Sequence, residues 1–451
     1  MSHPEWVLKF KEKGTSVRCI RGKYYLYKVT SKRDPITKKP KTITLGQIGV
    51  ITEEHGLIPT GQKRKGRIPI GASPFKNPPE TLSKEANFMD ELSQVNDERS
   101  EKNRLHSISE ILLAALASVL AGGDGWQDME DFGEIKIDFL RQYYPYHYGT
   151  PSNDTFRRFF RACDPGTFEK NFRNWVAKIF KIDKPQVIAI DGKYSRHSFS
   201  DEQKMLLLVN VLATESNVVL GQHKVDEKTN EITALPKILE WLDVKGHIVT
   251  IDAMGCQYEI ANLILKKEGN YIFSLKGNQG NLSDDVTLFF QKESMQKTEP
   301  FVHNDMGHGR IETRKCWVSY DVTWLKKMNT NWQSIQSIVR IQSTRDIKNE
   351  VSIEDRYYVS SLKETPQKML ESIRSHWAIE NKLHWVLDMS FFDDQSRIRD
   401  GNAPHVMGIL RHVAFNLLQL VKTEKLSIRR LRKMCALDGN LLERVMSNKS
   451  S

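Results

Sequence analysis

Between Gln186 and Leu275 the chain alternates short apolar runs with helical stretches, and this order restricts the possible fold more than any other feature. VIAID, MLLLVNVLA and VVLGQHKV are rich in aliphatic, often β-branched residues and too short for helices, so they read as three successive strands. A helical pattern over ALPKILEWL, a strand HIVTID, a helix over YEIANLILKKEG and a strand YIFSL follow. Asp191 closes the first strand of the series and Asp252 the fourth. Taken alone, each reads more readily as an aspartate capping the following turn.

Strand, strand, strand, helix, strand, helix, strand is the order of an RNase H-like α/β core, in which the first and fourth strands are neighbours. Asp191 and Asp252 are then expected to emerge side by side, at strand ends where substrate can reach them. A third acid stands far downstream, in RSHWAIENKLHWVLDMSFFDDQ. On a helix, His376, Glu380, His384 and Asp388 recur every four residues and share one face, beside Trp377 and Trp385. Three carboxylates converging from distant segments suit a hard divalent cation. Zinc held by His376 and His384 is the rival, but HxxxExxxH lacks the usual ligand spacing and no third ligand is evident. Asp388, Asp393 and Asp394 are spare acids expected to cap turns or pair with Arg397 and Arg399.

Charge points to the partner. Residues 1 to 80 hold 17 of the 67 Lys and Arg but only 6 of the 56 Asp and Glu, so the whole net charge of +11 lies there. With no amphipathic apolar face or lipidation motif beside it, such an excess favours nucleic acid over membrane. The longest apolar run, ILLAALASVLA, is too short to span a bilayer, and MSHPEWVLKFKEK has no signal-like apolar core. The five cysteines include no CxxC pair, which disfavours a disulfide framework or a Cys-based zinc site. A cytoplasmic, nucleoid-associated protein is expected.

The remaining segments divide as follows. Residues 1–60 read as a small basic β-rich segment, through VRCIRGKYYLYKVT and KTITLGQIG, which is either a solvated accessory sheet or a DNA contact. Residues 61–86, with KRKGR among glycines and prolines, read as a basic linker. Residues 87–183 read as an all-α domain. There Ser107 or Ser109 caps a strongly apolar helix, and a later helix carries Arg157 and Arg158 opposite Phe156, Phe159 and Phe160. That basic helix is either a DNA reader of helix-turn-helix type or simply amphipathic. Residues 184–437 form the α/β core, with an inserted β-sheet at about 281–365 carrying GHGRIETRKCWVSYDV, and 438–451 are a tail. Arg310 and Arg314 lie in that insertion, as DNA contacts or as solvated strand residues, while Lys193 and Lys276 follow strands and are expected at the site rim.

IAIDGK, LGQHKVDEKTNEITALP, KGHIVTIDAMGCQ, LKGNQ, GHGRIETR and RSHWAIENKLHWVLDMSFFDDQSRIRDGNAP also resemble a known family, the DDE transposases of the ISAs-type, H-repeat-associated insertion sequences. The helical part, RLHSISEILLAALASVLAGG through GTPSNDTFRRFF, is similar to that family's N-terminal domain, so the resemblance covers about residues 100 to 420. It implies a transposase that binds double-stranded DNA at terminal inverted repeats and at a target, cutting and joining strands as a homodimer in synapsis. It also implies that Asp191, Asp252 and Glu380 are catalytic acids binding two Mg²⁺, or Mn²⁺. Where the wider superfamily places Tyr, Arg and Lys around its Glu, this chain has Ile373, His376 and Leu387, leaving His376 as the candidate phosphate contact. The alternatives are a non-mobile nuclease of this fold and a domesticated DNA-binding protein, the latter expected to have lost carboxylates.

Overall fold

In the computed structural model, residues 4–20, 23–33, 40–53, 56–59, 89–95, 104–180, 182–198, 205–225, 230–307, 310–347 and 350–447 are described. The expected basic linker falls outside them. The chain divides into two compact units, one carrying residues up to Thr81 and the short segment His147–Gly149, the other carrying the rest.

The first unit is an antiparallel sheet of β1 (Thr15–Ile20), β2 (Lys23–Arg33), β3 (Pro40–Thr52) and β4 (Gly56–Pro59), in that spatial order. Val17, Leu26 and Ile51 form a small core with Val7 from the helix Glu5–Leu8. Arg18 stacks over Tyr27 at 4.7 Å.

The second unit is a mixed α/β structure around nine strands. β5 (Val187–Ser195), β6 (Leu206–Ala213) and β7 (Val218–Lys224) form an antiparallel meander. β8 (Ile248–Ile251) pairs parallel with β5, and β9 (Asn270–Leu275) pairs parallel with β8. β10 (Phe301–Gly307), β11 (Arg310–Ser319), β12 (Ser337–Ile347) and β13 (Glu350–Ser360) come from the segment expected to be a β-rich insertion. They extend the same sheet, because Tyr357–Ser360 of β13 pairs antiparallel with Ile272–Leu275 of β9. The strand order is β10-β11-β12-β13-β9-β8-β5-β6-β7.

Alternation along β5 sends side chains to two cores. Ile188 and Ile190 face the helices Glu231–Trp241 and Tyr258–Lys266, while Ala189 faces the helices Ile108–Leu120, Pro165–Ile179 and Ala403–Val421. The segment read as an all-α domain therefore shares its core with the sheet and with the chain's last helices. Its helix Ile108–Leu120 starts on a capping box, Ser107 Oγ accepting from Glu110 N at 3.1 Å and Glu110 Oε2 accepting from Ser107 N at 2.8 Å. Residues from 439 to 446, read as part of a tail, form a helix, because Leu441, Leu442 and Val445 make an apolar stripe that packs into this core.

Candidate active site

The parallel ladder between β5 and β8 runs from Val187 opposite Ile248 to Ile190 opposite Ile251. The next residue on each strand is an aspartate, so Asp191 and Asp252 stand side by side where that ladder stops. β5 itself continues to Ser195 through its other partner, β6, so Asp191 lies within a strand rather than at its end. Asp252 caps the turn Ala253–Gly255, its Oδ1 accepting from Met254 N at 3.1 Å and Gly255 N at 3.3 Å. Both bonds use one oxygen, and the residue lines a cleft of about 400 Å³ together with Asp191 and Glu380.

Glu380 reaches this cleft from a helix that is not continuous. An α-helix, Pro366–His376, gives way to a π-helical segment, Ile379–His384, and then to a second α-helix, Trp385–Ser390. Widened turns of this kind recur at functional positions. The segment is fastened to three neighbouring strands. His376 Nδ1 lies 3.0 Å from Thr250 Oγ1 on β8, His384 Nε2 lies 3.2 Å from Asn210 Nδ2 on β6, and Lys193 Nζ on β5 donates to Asp388 Oδ1 at 2.6 Å. Burial holds His376 down to about pKa 4 and His384 to about 3, so both rings act as neutral hydrogen-bonding pins. Glu380 sits midway between them.

Charge is poorly balanced around Asp191. Burial, then Glu380, Asp252 and Glu231, push its carboxyl up to about 7. The nearest basic group is His384 Nδ1 at 3.7 Å, whose ring is neutral. Glu380 is also raised by burial, which Arg356 and Lys276 oppose. Crowded acids with no described cation closing on Asp191 make a donor set that fits a hard divalent ion.

Among the described residues one trio of carboxylates is tighter, Asp388, Asp393 and Asp394, with ligand atoms all within 4.8 Å. It is an ion-pair clasp. Lys193 Nζ lies 2.6, 3.3 and 3.0 Å from the three, and Arg411 Nη1 lies 2.5 Å from Asp393 Oδ1. The expected pairing of these acids with Arg397 and Arg399 is replaced by this one. It also moves Lys193 off the rim, since its side chain is only 10% exposed. Burial lowers its pKa, and the three aspartates more than offset that.

The other candidates scatter. Lys276 is exposed at the cleft, the first residue after β9. His376 lines the cleft but is engaged with Thr250. Arg314 lines an adjoining groove of about 730 Å³ and is paired with Asp305 at 3.1 Å and Glu312 at 2.6 Å. Arg310 opens β11, and its side chain lies outside the described residues. Arg157 and Arg158, on the helix Asn153–Ala162, face away from buried Phe156, Phe159 and Phe160 and pair with Asp154, Arg157 also with Asp400. Sequence reasoning missed Arg356, which lies in both cleft and groove with its guanidinium 4.9 Å from the Trp377 ring. The period of two in EDRYYVSSL, which puts Glu354, Arg356 and Tyr358 on one face, was the available signal.

A mixed sheet with acids gathered where its central parallel ladder ends is the architecture of an α/β enzyme. The family model for the transposase DDE domain matches residues 182–417, and that for the DDE transposase-associated domain matches 89–176. The "H repeat-associated putative transposase YhhI" of Escherichia coli K12 is 38% identical over 80% of this chain and 97% of its own length. The "Putative transposase YncI" of Escherichia coli O157:H7 is 37% identical over 80% of this chain and 94% of its own. The chain belongs to the DDE transposase family and is a DNA transposase. A looser likeness, to the piggyBac transposase synaptic complex with hairpin DNA, has a TM-score of 0.37 at 9% identity over 81% of this chain and 79% of the other, and carries no weight here. Among the described residues no helix is long and apolar enough to cross a membrane.

Proposed function

We propose that Asp191, Asp252 and Glu380 are the catalytic acids of this transposase, on an RNase H-like core, and that they hold the divalent cations, Mg²⁺ or Mn²⁺. The observation that carries the reading is their meeting in one cleft from three distant segments, with Asp191 left, among the described residues, without a charged partner of opposite sign. The strand order β7-β6-β5-β8-β9, with β8 parallel to β5, supports the fold. Bound there, divalent ions supply an activated oxygen nucleophile and a sink for charge on the leaving oxygen.

The chain's own residues orient the DNA. Lys276 and Arg356 flank Glu380 and are placed to hold the phosphates beside the scissile bond. Trp377, 37% exposed and backed by Arg356, offers a flat apolar wall between the cleft and the groove. The groove shares Arg356 and Trp377 with the cleft and adds Arg345 and Arg374, paired with Glu312 at 3.0 Å and Asp305 at 2.6 Å, so a duplex that follows it exchanges those pairs for phosphates. Arg314, Arg310, Arg157 and Arg158 are further contacts on this reading, and the DNA comprises the element's terminal inverted repeats and the target, brought together by a homodimer.

The test is nicking of DNA carrying the element's own ends with Mg²⁺, by the wild type, Asp191→Asn and Glu380→Gln. Cutting by the wild type alone, with DNA binding kept in both variants, is expected. Cutting by Glu380→Gln would remove Glu380 from the site.

A further inference from the structure

The strands β1 to β4 lie outside both family matches, which begin at residue 89. They carry six basic residues, Arg18, Lys23, Lys28, Lys32, Arg33 and Lys41, and no aspartate or glutamate. Strands β10 to β13 of the larger unit, by contrast, interleave both signs.

One face of the N-terminal sheet is spent on its core. Val17, Leu26 and Ile51 point to the side on which Trp6, Val7 and Phe10 pack. Alternation along β1 puts Arg18 on the other side, with its register partner Tyr25 and then Tyr27, which pairs with Gln47. Arg18, Thr44 and Gln47 are exposed there, and the two tyrosines are half-buried.

On that face Arg18 is held without an acid. Its guanidinium lies over the Tyr27 ring at 4.7 Å, and its Nη2 donates to Thr44 Oγ1 at 2.5 Å. Three strands thus fix one exposed cation, and among the described residues no carboxylate pairs with it. The arginines of the larger unit considered for DNA differ: Arg157, Arg158, Arg314, Arg345, Arg356 and Arg374 all have carboxylate partners. A guanidinium has five donor N–H bonds, so Arg18 keeps others for an incoming anion. With the Tyr27 ring covered, a cation and a hydroxyl meet the partner rather than an open aromatic face, which suits backbone phosphates over stacked bases.

We propose that the N-terminal sheet is a second duplex-DNA contact of this transposase, separate from the acidic cleft, in which Arg18 holds a backbone phosphate irrespective of sequence. It stands whether or not the three acids are the catalytic ones. A contact of this kind keeps the tethered catalytic unit near DNA whatever sequence is passing.

The experiment is fluorescence anisotropy of a labelled duplex without the element's ends, in a salt series lacking divalent metal, with full-length wild type, Arg18→Gln, Arg18→Lys, Gln47→Glu and Arg356→Gln. Circular dichroism confirms the fold of each. Arg18→Gln is expected to weaken binding about fivefold or more and to lower the salt slope by about one phosphate contact. Arg18→Lys should fall between, because it keeps the charge but not the planar stack. Wild-type affinity and slope in Arg18→Gln overturn the proposal and leave Arg18 a surface partner of Tyr27; weakening in Arg356→Gln alone does so while keeping the cleft as a DNA site. A labelled single strand and phosphatidylserine vesicles are run in parallel, and a loss confined to either overturns the assignment to duplex DNA. Should Arg18→Gln not fold, Gln47→Glu decides, since an acid on that face is expected to weaken duplex binding, and wild-type affinity is again the overturning result.

Discussion

Lys193 stands two residues beyond Asp191, and its ammonium is enclosed by Asp388, Asp393 and Asp394. A lysine so placed holds a helix to a strand, and removing it takes the ammonium from Asp388 while Asp393 keeps Arg411 and Asp394 keeps Arg196. Lys193→Met is expected to destabilise the fold by about 2 kcal/mol, less than the cost of a fully unpaired buried charge. Urea denaturation measures it, and a loss under about 1 kcal/mol would mean the clasp is solvent-screened like a surface pair. Arg356 presents a different case: its guanidinium is paired with Glu354 at 2.8 and 3.0 Å, both residues line the cleft, and in the proposed role it exchanges that pair for a phosphate. Arg356→Gln is expected to weaken binding to any duplex alike and to lower the salt dependence by about one phosphate contact. Fluorescence anisotropy across a salt series reads both; an unchanged slope would place Arg356 away from the backbone.

At the scale of elements, the π-helical segment Ile379–His384 decides where Glu380 points. A π-turn holds one residue more than the α-turn it replaces, so deleting exposed Asn381 is expected to restore an ordinary helix. His376 and His384 could then no longer keep both Thr250 and Asn210. The deletion should retain helical circular dichroism while abolishing nicking; retained nicking would show that the widened turn does not set the acid. The sequence reveals this element as a helix, because His376, Glu380, His384 and Asp388 repeat every four residues. It does not reveal the π-turn, which is fixed by partners on β6 and β8 that no local pattern specifies. The runs VIAID and HIVTID were legible as strands because buried strands are aliphatic throughout, and their order gave the adjacency of Asp191 and Asp252. Which sheet the strands from 301 to 360 join was not legible, because a strand's composition does not name its neighbour. Lys193 was misplaced for the same reason, since a lysine after an aspartate reads identically whether it meets solvent or three acids.

For the molecule as a whole, acid sensitivity follows from a buried imidazole in the shared core. His412 lies on the helix Ala403–Val421, and burial, against the pull of Asp393, holds its pKa to about 4. An unfolded histidine titrates near pH 6.5, so below that pH the unfolded chain takes up a proton the folded chain refuses. The contribution of this group is therefore flat above about pH 6.5 and falls as pH drops towards 4, by up to about 3 kcal/mol, with His376 and His384 acting in the same sense and Asp191, raised to about 7, in the opposite one. Denaturation midpoints of wild type and His412→Gln between pH 7 and 4.5 check it, the wild type being expected to lose stability relative to the variant as pH falls; a constant difference would remove His412 from the acid response.

The helix that carries His412 lies at the centre of the larger helical core, and Arg432 beyond it donates to the carbonyl of Val119, 313 residues earlier. A polypeptide emerging from the ribosome has Asp191, Asp252 and Glu380 in the open before either exists. Lacking those helices, it cannot close the core that seats the acid-bearing segment. The proposed cutting centre is therefore expected to be seated only once residue 432 has been made, and a chain terminated between 390 and 400 is expected not to nick DNA, even though every acid proposed for the chemistry has already been made.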